Sequence, residues 1–132
     1  MKRLTKDDIR QTTGILNPVG HMILAFRSDA GTAQAVDALR GAGFEPDDIL
    51  DYLASEATPR LRERVRTASE AAGFGYEITL MRRYLAFAEQ GAGWLVVYAP
   101  DDAAAGRIVE IGRRLEALCA VRYHRLASED LL

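Results

Sequence analysis

Two runs of apolar residues dominate the pattern along the chain. Residues 21–26 read His-Met-Ile-Leu-Ala-Phe, and residues 94–99 read Trp-Leu-Val-Val-Tyr-Ala. Such runs are typical of strands in the interior of a sheet. Residues 49–54 form a shorter strand pattern, and residues 120–126 alternate as an edge strand with one wet face does. The pattern therefore predicts four strands.

Helical spacing and capping residues predict four main helices between and around these strands. Ser28 or Asp29 can cap a helix over residues 30–42, which Gly43 ends in a left-handed conformation. Thr58-Pro59 is a strong helix start, and that helix is expected to end at Gly73. The next helix begins at residue 76 or 77 and ends at residue 91, and Asp101 caps the last one.

The element order contains two β-α-β halves, which is the arrangement of the ferredoxin-like split β-α-β sandwich. Right-handed crossovers then give an α+β fold with a four-stranded antiparallel sheet in the order 4-1-3-2, with the two crossover helices on one face. We expect an N-terminal arm over residues 1–18, with one helical turn at about 6–11, and a single domain over residues 19–132. Residues 57–91 form a two-helix insertion between the second and third strands.

Composition and charge exclude several classes of protein. The chain has 132 residues, a single cysteine and a net charge of −2. One cysteine excludes an internal disulfide framework and a cysteine-based zinc site. The balanced charge does not favour capture of nucleic acid, and neither a membrane span nor a secretory leader is visible. We therefore predict a cytoplasmic protein with no nucleic-acid or membrane partner.

Arginine is concentrated in the predicted insertion. Arg60, Arg62, Arg64 and Arg66 alternate along its first helix, and Arg82-Arg83 lie on its second. One interpretation is a solvated face with internal ion pairs. The other is a site for a small anionic ligand or an acidic protein partner, because forked guanidinium groups suit carboxylates and phosphates. For that site the candidate residues are Arg62, Arg66, Arg82 and Arg83.

The remaining candidate chemistry is sparse. His21 and His124 are expected at the same end of neighbouring strands, but two ligands are too few for a metal site. Cys119 has no base beside it and is interpreted as a small buried side chain. We predict no catalytic residue, no metal and no cofactor.

Two segments resemble a family of small bacterial general-stress (heat-induced stress) proteins. The first is Ile23-Leu24-Ala25-Phe26, followed by a small-residue helix, Gly43-Phe44 and Asp47-Asp48-Ile49. The second runs from Leu95 to Asp102 and continues into an Ala-rich helix and the terminal strand. The resemblance covers roughly residues 19–126, and it implies a ferredoxin-like domain that is not an enzyme and supplies no catalytic residues.

Two function classes follow. The first is a non-catalytic stress-type domain that acts through self-association as a homodimer, because both faces of the central strands carry large apolar residues that water covers poorly. The second is a small-molecule or anion-binding regulatory domain. Its site would lie between the sheet and the Arg-rich insertion.

Overall fold

The computed structural model describes residues 2–11, 17–70, 75–124 and 128–132 of the chain. Within these ranges the chain forms a mixed α+β fold, as predicted, and none of the described helices is long and apolar enough to cross a membrane. The helices are α1 (Lys6–Arg10), α2 (Asp29–Gly41), α3 (Ala54–Glu70), α4 (Gly75–Glu89) and α5 (Asp102–Arg114). The strands are β1 (His21–Phe26), β2 (Ile49–Tyr52), β3 (Gly93–Tyr98), β4 (Cys119–Tyr123) and β5 (Ser128–Asp130).

The sheet is antiparallel throughout and has the order β2-β3-β1-β4-β5. The two long apolar runs, β1 and β3, lie in its interior as predicted. The prediction of four strands is wrong, because β5 pairs with the outer side of β4 and extends the order at that end. β5 reads Ser-Glu-Asp and carries no apolar side chain. Its pairing depends on backbone hydrogen bonds, which hydrophobic periodicity does not register.

Side chains alternate between the two faces of the sheet, and each face is covered by a different pair of helices. Met22 and Leu24 of β1, with Leu95 of β3, lie on the face covered by α2 and α5, which we call the crossover face. Ile23 and Val96 lie on the opposite face. We call it the insertion face, because helices α3 and α4 cover it. The two crossover helices therefore share one face, as predicted, and the insertion covers the other, so the chain folds as three layers.

Local capping confirms the predicted ends of the crossover helices. The Ser28 hydroxyl accepts a hydrogen bond from the Gly31 amide (3.1 Å) at the start of α2. The Asp101 carboxylate accepts one from the Ala104 amide (2.8 Å) at the start of α5. Gly43 has a φ of +102° just beyond α2, where a side chain would be strained. These short polar residues and one glycine set the helix boundaries.

The predicted start of α3 at Thr58-Pro59 is wrong. The helix begins at Ala54, so the insertion starts three residues earlier than expected. Two carboxylates from different elements hold this start: Asp29 accepts from the Ala54 amide (2.9 Å), and Glu56 accepts from the Leu53 amide (3.0 Å). The Asp29 contact joins residues 25 apart and leaves no local sequence signal.

Three predicted features lie outside the described residues. They are the helix end at Gly73, the last two residues of the predicted 120–126 strand, and residues 12–16 of the N-terminal arm. The helical turn of the arm is confirmed as α1, where the Thr5 hydroxyl accepts from the Asp8 amide (3.2 Å).

The homodimer prediction assumed that the second sheet face, or the outer residues of the insertion, needed a partner. The sequence predicted that Leu80, Tyr84 and Phe87 of α4 face outward, but Leu80 and Tyr84 are 4% and 0% exposed against the insertion face, and Phe87 is half-buried against the same core. Among the described residues the large apolar side chains left exposed are Leu53 and Leu132. The chain's own helices therefore cover the proposed interface. The homodimer stays a prediction, which light scattering of the full chain tests.

Candidate ligand-binding site

Helix α3 turns one pair of its arginines toward the sheet and the other pair away. Residues three and four apart share a helix face, and Ala57, Leu61 and Arg64 are all buried at 6–8% exposure. Arg60 lies beside them and is half-buried. The pair on the insertion face is therefore Arg60 and Arg64, whereas Arg62 and Arg66 are exposed.

The four arginines of the predicted anion site are exposed on α3 and α4. Three of them contact carboxylates, as the solvated-face interpretation expects, and Arg82 lies on the exposed face of α4. None of the four lines the cavity described below. An anion site at these residues stays a prediction. The ion pairs are Arg62 with Glu89 (3.4 Å), Arg66 with Glu63, and Arg83 with Asp130 (3.0 Å).

A cavity of about 60 Å³ lies between the insertion face and the inner side of α3. Strands β1, β2 and β3 form its floor, α3 and α4 form its roof, and Ile9 of α1 closes one side. The wall is mainly aliphatic and aromatic. The polar contributions come from Tyr52, Arg60, Arg64 and Trp94, together with Tyr84.

Tyr52 and Trp94 place two hydrogen-bonding groups side by side in the floor. They are direct partners in the register of β2 and β3, so their side chains leave the sheet next to each other on the insertion face. The exposed fractions of the two residues are 6% and 4%. The Tyr52 hydroxyl and the Trp94 indole Nε1 are buried, and neither has a hydrogen-bond partner in the part of the chain that the structure describes.

Arg60 supplies a third such group from the roof. Its Nη1 is also buried without a hydrogen-bond partner among the described residues. Its guanidinium carbon lies 5.8 Å from the centre of the Tyr52 ring, so roof and floor meet here. An unsatisfied buried polar group typically costs about 1–3 kcal/mol. Three around one small cavity are an unusual concentration.

The electrostatics of the cavity are positive. Arg64 is buried with Arg60 nearby, and both effects lower the pKa of its guanidinium, which still stays charged near neutral pH. Burial raises the pKa of Tyr52, while Arg60 and Arg64 oppose the rise, so the Tyr52 hydroxyl keeps its proton and can donate it. No carboxylate is among the described residues that line the cavity. The site can therefore donate hydrogen bonds to a negatively charged group.

The N-terminal arm packs against this site. Arg64 Nη2 donates to the carbonyl of Ile9 (2.9 Å), and Lys6 Nζ lies 4.6 Å from the centre of the Tyr52 ring. The Leu4 amide donates to Nε2 of buried His21 (3.1 Å). Sequence reasoning predicted the arm and its turn, but not this closing role.

His21 is held as a neutral ring by its two contacts. Because Nε2 accepts the Leu4 amide, the proton lies on Nδ1, which faces the Val19 carbonyl at 3.0 Å. Burial is the main cause that lowers the pKa of His21. Exposed His124 instead lies 3.3 Å from a carboxylate oxygen of Glu129. The two histidines therefore have separate partners, and the described residues contain no group of three His, Cys, Asp or Glu placed to hold a metal.

Cys119 is buried, as the sequence predicted, and it lies in the core of the insertion face. Burial raises its pKa to about 12, so it is a protonated thiol at neutral pH rather than a reactive thiolate. It forms no part of the cavity wall.

One signal in the sequence could have found Arg60 and Arg64. Arg60 lies three residues after Ala57, and Arg64 lies three residues after Leu61, so a helical projection places both arginines at the edge of the buried stripe. The pairing of Tyr52 with Trp94 had no comparable signal, because it depends on the register of two strands 42 residues apart in sequence.

Comparison of the chain with protein-family models, with curated proteins and with solved structures finds no match. The resemblance to the general-stress family therefore stays a prediction from the sequence motifs.

Proposed function

We propose that this protein is a binding domain for a small anion, with its site in the cavity between the insertion face and α3. One observation carries the proposal. The Tyr52 hydroxyl, the Trp94 indole and Arg60 Nη1 are buried without partners among the described residues, and they surround a cavity whose described wall contains no carboxylate.

The chemistry of these three groups selects the ligand. An indole N–H and a guanidinium only donate hydrogen bonds, so they require an acceptor. The charges of Arg60 and Arg64 favour a negative one, and hydrogen bonds to a charged group are the stronger kind. An anion would satisfy the donors and balance the charge in one step, whereas water would satisfy the donors alone.

The fold and the role that we propose are those of a ferredoxin-like regulatory domain. Support comes from the order β2-β3-β1-β4, from the two β-α-β halves, and from the motif resemblance described above. In this proposal β5 extends the sheet and the α3–α4 insertion adds the site. We propose binding rather than catalysis, because the groups at the cavity donate hydrogen bonds and the Tyr52 hydroxyl keeps its proton near neutral pH.

The experiment uses the single tryptophan of the chain as its reporter, since Trp94 lies in the cavity floor. Indole fluorescence is followed while formate, acetate or phosphate is added at constant ionic strength. We expect a saturable change for at least one anion. Arg60→Gln should weaken that binding about 10- to 100-fold, the equivalent of roughly 1.5–3 kcal/mol for a charge-assisted hydrogen bond.

Arg62→Gln is the matched control, because it removes the same group from the exposed side of the same helix. It should leave binding unchanged. If Arg62→Gln abolishes binding and Arg60→Gln retains it, the anion site lies on the outer face of α3. That result would contradict the proposal. The absence of any saturable change up to tens of millimolar would also contradict it.

A further inference from the structure

We infer that the ligand of this cavity is a short-chain monocarboxylate. Its carboxylate meets Arg60, Tyr52 and Trp94, and its hydrocarbon part lies against the aliphatic wall. This inference rests on the proposed function and names the class of its ligand.

The number and kind of donors fit a carboxylate better than a phosphate or sulfate. A carboxylate presents two oxygens and one charge, and three unpartnered donors at the cavity can serve these two oxygens. Phosphate and sulfate sites usually add backbone amides from a helix N-terminus or a glycine-rich turn.

Helix α3 starts close to the cavity, but most of the amides at its start are already engaged. The Leu53 amide donates to Glu56, the Ala54 amide donates to Asp29, and the Ala57 amide donates to the Leu53 carbonyl. The helix start therefore offers little to a tetrahedral oxyanion.

The rest of the wall fits a short hydrocarbon chain. Ile9, Ile23, Leu61 and Val96 are all buried and contribute aliphatic surface to the cavity. A phosphate would leave this surface without a complementary group. A chain of methylene groups would cover it, and each buried methylene strengthens binding about fourfold.

The size of the cavity limits the length of that chain. An apolar cavity of about 150 Å³ holds a benzene ring, whereas this one measures about 60 Å³. It therefore admits a carboxylate head with one or two further carbons. Acetate and propionate fit these limits, and hexanoate exceeds them.

The experiment is a titration of the full chain with acetate, propionate, hexanoate, phosphate and uncharged propionamide. It is followed by Trp94 fluorescence and by isothermal calorimetry. We expect propionate to bind about fourfold more tightly than acetate. We also expect propionate to bind at least tenfold more tightly than hexanoate, phosphate or propionamide. Arg60→Gln should remove the preference for propionate over propionamide, and Arg62→Gln should keep it.

The outcomes separate this inference from the proposed function. Phosphate binding that is tighter than propionate binding and is lost in Arg60→Gln would overturn the carboxylate inference and leave the proposed function standing. If no anion binds in a way that depends on Arg60, both fail. If Arg60→Gln does not fold, Tyr52→Phe provides the same test, because it removes one unpartnered donor and keeps the ring in the floor. Unchanged propionate affinity in Tyr52→Phe would then overturn the inference.

Discussion

The two faces of the sheet are buried to a similar degree, but they differ in what they bury. The crossover face consists of aliphatic and aromatic hydrocarbon side chains such as Leu24, Phe26 and Ile108. None of the described buried polar atoms without a partner belongs to this core. The insertion face buries three tyrosines, one tryptophan and the side chain of Arg64.

Within one sheet, the crossover face therefore supplies stability, and the insertion face supplies the groups that we propose for binding. Hydrocarbon burial on the crossover face stabilises the fold without leaving unsatisfied groups. On the insertion face, each unpartnered donor at the cavity costs about 1–3 kcal/mol out of a typical total of roughly 5–15 kcal/mol. Groups that weaken a fold in this way are characteristic of sites arranged for a ligand.

The largest effect that we expect tests the role of the crossover face. Ile108→Ala removes a fully buried side chain of α5 and should lower the free energy of unfolding by about 2–5 kcal/mol. Urea denaturation measures the loss. Propionate binding by the folded variant should stay within twofold of the wild type. A binding defect larger than that would show that the two faces are coupled, and it would contradict the separation drawn above.

The second effect compares two tyrosines of the insertion face. The hydroxyls of Tyr84 and Tyr123 form a buried hydrogen bond of 2.6 Å, so Tyr84→Phe should cost about 1–2 kcal/mol of unfolding free energy. The Tyr52 hydroxyl has no partner among the described residues. Tyr52→Phe should therefore leave stability unchanged or raise it slightly, while it weakens propionate binding. A loss of stability in Tyr52→Phe similar to that in Tyr84→Phe would show that its hydroxyl is already satisfied.

The smallest effect is a pH dependence of stability at His21. Unfolded histidine titrates near pH 6.5, and burial holds the pKa of folded His21 below that value. Its contribution to stability is therefore complete above about pH 6.5 and is lost as the pH falls through that value toward the lower folded pKa. The groups that face the ring are the Leu4 amide, the Val19 carbonyl, the Tyr98 ring and the charges of Arg3 and Asp48.

Urea denaturation between pH 8 and about pH 5.5 measures this dependence. His124→Gln is the control, because His124 is exposed and its removal should leave most of the slope in place. If the pH dependence of stability disappears in His124→Gln, it comes from His124, and the prediction for His21 is wrong. His21→Gln should flatten the curve over the same range.

Local patterns predicted most of the sheet, whereas the site depended on contacts between distant residues. The apolar runs of β1 and β3, and the caps Ser28 and Asp101, follow from short-range chemistry that the sequence displays directly. The start of α3 does not, because Asp29 holds it from 25 residues away. Arg64 was expected on or beside a solvated face, since an arginine is seldom buried. Arg64 can be buried because its guanidinium donates a hydrogen bond to the carbonyl of Ile9. Ile9 lies on α1, far from Arg64 in the sequence.

Strand β5 also has a consequence for the association of sheets with one another. Without it, the outer edge of the sheet would be β4, whose residues Cys119 to Val121 are apolar and buried. An open edge of that kind pairs readily with the edge of another molecule and begins aggregation. β5 presents a short edge instead, with the carboxylates of Glu129 and Asp130 on it. This short polar strand offers no apolar side chain to the edge of a second copy, so three polar residues limit intermolecular growth of the sheet at this end.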